Sequence, residues 1–75
     1  MKKNVIISRE LKSSAAPAAE FLTRRADGFE WTSDRRAAFV VVPDTATAAT
    51  VADWLFWNYD SDYKFITIDT RRRAS

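Results

Sequence analysis

The side chains available for chemistry are carboxylates, Lys and Arg, and aromatic rings. The 75-residue chain has ten Asp and Glu, twelve Lys and Arg, three Trp, and neither His nor Cys. Without Cys there can be no disulfide, thiolate nucleophile or zinc ribbon. Without His the chain lacks the commonest metal ligand and the usual general base near neutral pH. A single glycine cannot build a phosphate-cradling loop. The acids fall in stretches that read as caps and loops, where Asp serves the backbone. A paired-carboxylate hydrolase would need a cleft that a chain of this length cannot wall. The sequence therefore predicts no enzyme, no metal and no cofactor. Binding remains.

The aromatic segment 54–59, Trp-Leu-Phe-Trp-Asn-Tyr, is the densest candidate. On a helical wheel Ala48, Val51, Ala52, Leu55, Phe56 and Tyr59 share one direction and form the expected core face. Trp57 falls opposite, and Trp54 near the far edge, beside Thr50 and Asp53. The expected partner-binding set is Trp54, Trp57, Asp53, Asp60, Asp62 and Thr50. Two readings stay open for the Trp pair. They cover a neighbouring loop or helix, or they anchor an interface, where Trp often dominates the binding energy.

Charge is unevenly placed. Residues 1–36 carry a net +3, residues 37–70 a net −4, and the tail with Arg71, Arg72 and Arg73 a further +3. The acidic second half repels phosphate backbones. Against that, residues 35–42 echo the third-strand motif of RNA-recognition motifs at Arg35, Ala38, Phe39 and Val40. They depart from it at Arg36, where glycine belongs, and at Ala37, where an aromatic should stack. Arg35, Arg36, Phe39, Arg71, Arg72 and Arg73 are thus a second candidate contact, for nucleic acid or a partner.

The elements that must position these residues can be read in order. Residues 4–8 form a strand, and 15–26 an Ala-rich helix stopped by Asp27-Gly28. Residues 29–32 form an edge strand, and 37–42 a strand apolar on both faces. Asp44 or Thr45 caps a second helix over 46–59, and 63–70 forms a last strand. The order β-α-β-β-α-β is the split-βαβ, ferredoxin-like α+β pattern, a four-stranded antiparallel sheet with two helices on one face. In it the first and third strands lie centrally and the more polar ones at the edges. One domain is expected over 1–70, with 71–75 a basic flexible tail. A homodimer is a natural supplement for so small a core. The apolar run behind Lys2-Lys3 is only Val5-Ile6-Ile7, too short for a secretory signal. No stretch is long enough to span a membrane. A cytoplasmic location is expected.

The stretch from residue 38 to residue 72 resembles the small inhibitors of bacterial RNA polymerase made by podophage-type viruses. The features that carry the likeness are Val40–Val42, the Asp44-Thr45 cap, Ala48, Ala52-Asp53-Trp54 and the Phe65–Arg71 stretch. The chain departs in a longer helix-to-strand loop. It also has Ile68 and Asp69 where that family carries Arg, so that Arg71 and Arg72 come only at the strand's end. The resemblance implies a bacteriophage protein of host takeover. It would act in the host bacterial cytoplasm, blocking a polymerase or a defence complex through an acidic, aromatic surface.

Overall fold

The computed structural model describes residues 3–13, 15 and 18–70. Four strands and one α-helix build an α+β fold: β1 Val5–Leu11, β2 Glu20–Arg25, β3 Gly28–Thr32, α1 Ala46–Trp57 and β4 Tyr63–Asp69. The sheet is antiparallel throughout, in the order β3-β2-β1-β4. As expected, the first strand is central and the two more polar strands are the edges.

The helix expected over 15–26 is not what forms there. Residues 20–25 are β2, and residues 14, 16 and 17 lie outside the described residues. Among the described residues there is one α-helix, so the two-helix ferredoxin-like arrangement is replaced by a one-helix sheet. The physical reason lies in β2 itself. Leu22 is completely buried on the helix side of the sheet and Phe21 nearly so on the other. A strand that places successive apolar residues on two covered faces buries both, which a one-sided helix cannot do. The Asp27-Gly28 pair then ends a two-residue hairpin turn rather than a helix. Gly28 pairs with Arg25 at φ +153°, a backbone conformation that favours glycine.

The expected strand 37–42 is also redrawn. Residues Arg35–Ala37 form one 3-10 turn, capped by Asp34, whose Oδ1 accepts from the Arg36 N–H at 3.0 Å. This turn crosses β2 on the face away from α1. There Thr23 Oγ1 donates to the Ala37 carbonyl at 2.6 Å, and the Arg35 guanidinium lies 5.8 Å from the Phe21 ring centre. The chain then enters the sheet. β1 and β2 pair only at Ser8 with Phe21 and at Arg9 with Glu20, and residues 39–41 fill the wedge where they part. Phe39 N–H donates to the Leu22 carbonyl at 2.8 Å. Val41 and Val5 exchange bonds of 2.7 and 3.0 Å. The expected burial on both faces does not hold either. Val41 is buried and Ala38 and Phe39 are half-buried, but Ala37, Val40 and Val42 are exposed, because among the described residues only the backbone bonds to Leu22 and Val5 tie this segment to the sheet.

Past Pro43, Asp44 takes φ +63° and Thr45 caps α1. The Thr45 hydroxyl accepts from Ala48 N–H at 3.1 Å and donates to the Val42 carbonyl at 2.7 Å, satisfying one orphan donor of the first turn. The helix lies on the β1 face that carries Val5 and Ile7. Val51, 2% exposed, meets Ile7, Leu22 and Val41, with Phe29, Trp31, Phe39, Ala48, Trp54 and Leu55 packed around them. No helix among the described residues is long and apolar enough to cross a membrane.

Candidate functional site

Core packing sets how α1 is rotated, and the rotation decides which aromatics reach solvent. The buried direction runs through Val51, with Ala48, Trp54 and Leu55 to either side. That is about 60° from the direction the wheel picks. Four residues change sides as a result, Ala52 among them, which is exposed. Trp54, expected off the core, packs inside it, with ring centres 5.8 Å from Phe29 and 6.2 Å from Trp31. Phe56 and Tyr59, expected inside, are 71% and 61% exposed. Trp57 stands outside as expected, at 75%. The cause is that apolar residues occupy most of the circumference of this helix. Only Thr47, Thr50 and Asp53 are polar, too few to fix the direction.

Three rings therefore collect at the C-terminal end of α1. Phe56 and Trp57 meet edge to face with centres 5.3 Å apart, and Tyr59 leans on Phe65 of β4 at 6.0 Å. The backbone around them is well fixed. Asn58 closes the helix by donating to the Trp54 carbonyl from its backbone N–H at 3.0 Å and from Nδ2 at 2.8 Å. Asp60 Oδ1 accepts from Asp62 N–H at 2.9 Å, and the Asp60 carbonyl accepts from Tyr63 N–H at 3.1 Å. Asp53, Asp60 and Asp62 are exposed and flank the three rings in sequence. The last turn of α1 holds no basic residue, so the partial negative charge of the helix end adds to the carboxylates. Thr50 is also exposed, but its hydroxyl is used within the helix, donating to the Ala46 carbonyl at 3.0 Å.

Behind this surface the aromatics continue inward. Phe65 touches Trp31 at 5.8 Å, Trp31 touches Trp54, Trp54 touches Phe29, and Phe29 touches Phe39 at 6.0 Å. Arg9 is built into the same layer. Its guanidinium lies 4.0 Å from the Tyr63 ring centre and 4.5 Å from that of Trp31, and its Nε bonds Glu20 Oε1 at 2.8 Å. The residue types alone gave no sign of this arrangement, because cross-strand register brings Arg9, Glu20 and Tyr63 together.

The second candidate set is dispersed. Phe39 is half-buried against Phe29 and offers no open ring for stacking. Arg35 and Arg36 are exposed on the 3-10 turn, with Arg36 Nε 3.4 Å from Asp34 Oδ1. Arg24 lies over the Phe29 and Phe39 rings at 5.9 and 5.6 Å. Arg71, Arg72 and Arg73 lie outside the described residues. Among the described residues no three His, Cys, Asp or Glu side chains group as metal ligands. No protein-family model matches this chain, and no curated protein or solved structure matches it either.

Proposed function

We propose that this protein is a non-catalytic protein-binding module that acts through the C-terminal end of α1. Phe56, Trp57 and Tyr59 anchor the contact, and Asp53, Asp60 and Asp62 form its rim. One observation carries this reading: Phe56 and Trp57 in ring contact, and Tyr59 just beyond the helix end, stand mostly exposed in a chain whose buried hydrophobic core is only six residues among those described. So small a domain can ill spare that much apolar surface, and exposed apolar patches invite association. Rings surrounded by polar groups are the usual make-up of an energetic centre in a protein interface.

Charge selects the kind of partner. A carboxylate rim at a negative helix end suits a basic groove, such as the nucleic-acid channel of a larger enzyme, and speeds encounter with it. Together with the resemblance of residues 38–72 to phage inhibitors, this supports a viral inhibitor that occupies such a channel. A bacterial RNA polymerase is the first target to try and a defence complex the next. The block is steric or allosteric and involves no chemical step. The test is transcription by purified bacterial RNA polymerase with the wild-type protein and with Trp57→Ala. Inhibition by the wild type that is lost in the variant supports the reading. Equal inhibition by both removes α1 from the contact, and no inhibition by either removes the polymerase.

A further inference from the structure

β4 lies at one margin of the sheet, bonded to β1 on one side only. Its alternation shows which backbone groups remain. The bonds toward β1 fall at even positions, as continued by Thr70 N–H to the Asn4 carbonyl at 3.0 Å and Lys12 N–H to the Asp62 carbonyl at 2.9 Å. The N–H and C=O of Phe65 and Thr67 therefore point outward. The strand is seven residues long, has no proline and is rich in β-branched and aromatic residues. Such an edge pairs readily with another strand. β3, the opposite edge, is five residues long and starts on Gly28.

The sequence around β4 points to its occupant. Asp60-Ser61-Asp62 precedes the strand, and Arg71-Arg72-Arg73 follows it directly after Thr70. A strand with an acidic start and a basic end complements its own antiparallel copy. We infer that β4 pairs with β4 of a second copy of this chain, Phe65 opposite Thr67, to make a continuous eight-stranded sheet across a two-fold axis. In this register Ile66 faces Ile66 of the second copy as a close non-hydrogen-bonded pair. That lengthens the row of Ser8 with Ile66 on the face away from α1, while Ile68 comes opposite Lys64 of the second copy. Asp60-Ser61-Asp62 then lie at the end of the second copy's β4 from which Arg71-Arg72-Arg73 follow in sequence, twice over. The contact is isologous and closes on itself, so it yields a dimer and no fibre. Phe56 and Trp57, on the helix, stay outside it, whereas Asp60 and Asp62 belong to both contacts, so the pairing is tested on self-association alone.

The test is sedimentation equilibrium of the full chain from micromolar to millimolar concentration. The expected result is a monomer–dimer equilibrium that weakens as salt is added. Thr67→Pro removes an outward N–H and no bond to β1. It should leave the circular dichroism spectrum folded and abolish the dimer. Should that variant fail to fold, charge reversal decides. Replacing Arg71, Arg72 and Arg73 by Glu should weaken the dimer about tenfold, and adding Asp60→Lys and Asp62→Lys should restore it. A wild-type monomer at every concentration overturns the inference and leaves the edge to a strand of a different protein. A dimer indifferent to both sets of changes overturns it too, because the contact then lies on another face.

Discussion

The Phe56 and Trp57 rings meet edge to face at 5.3 Å on the solvent side of α1, although the two residues are neighbours in sequence. Consecutive helix residues point about 100° apart. Two large side chains can bridge that angle only where nothing packs between them. Their contact defines a ridge at the helix end, and the core residue two positions before Phe56 fixes where that ridge points.

That residue is Trp54, and its replacement separates core from surface. Trp54→Ala removes ring contacts with both Phe29 and Trp31. It should cost about 3 kcal/mol, most of the stability a domain this small holds. Phe56→Ala and Trp57→Ala each should stay within about 0.5 kcal/mol of wild type. Urea denaturation of the three variants checks the order. Equal losses would show that the rotation of α1 is wrong.

Gly28 gives a cleaner backbone test. Nothing lies within 4 Å of where a Cβ would sit, so Gly28→Ala meets no clash. Its cost comes only from φ +153° at the hairpin, about 1–2 kcal/mol. A thermal melt compared with Ala26→Gly, a turn position at negative φ, should show the larger drop for Gly28→Ala.

Much of the scaffold could be read from the residue pattern. The alternation in 63–70 and the Thr45 cap before an Ala-rich run locate β4 and α1 to within a residue or two, because period and cap chemistry are local. β2 was not legible. Its Phe21-Leu22 pair fits a helix face as well as a strand buried on both sides, and only pairing with β3 and the crossing 3-10 turn decides. The candidate site was half legible for a related reason. Composition marks 54–59 as aromatic, but which ring is inside depends on the sheet beneath. Trp31 and Phe29 take Trp54, which leaves Phe56 and Tyr59 outside.

Arg9 tests whether stacking or charge holds the aromatic layer. Its side chain is largely enclosed while that of Glu20 is partly exposed. Arg9→Ala loses both ring contacts and the buried stem, about 1–2 kcal/mol. Glu20→Gln loses only a screened ion pair, below about 1 kcal/mol. Arg9→Lys keeps the charge without the flat guanidinium and should fall nearer to Arg9→Ala. Denaturation midpoints in matched salt give the ranking. Glu20→Gln as the costliest change would put charge first.

The most direct measurement on the central claim is calorimetric titration of bacterial RNA polymerase with wild-type protein and with the Phe56→Ser/Trp57→Ser double variant, each first shown to melt at the same temperature. Loss of these two rings should weaken binding by about 2–4 kcal/mol, at least roughly thirtyfold. Affinities within about twofold of each other, with both proteins folded, would contradict the assignment of this surface as the contact.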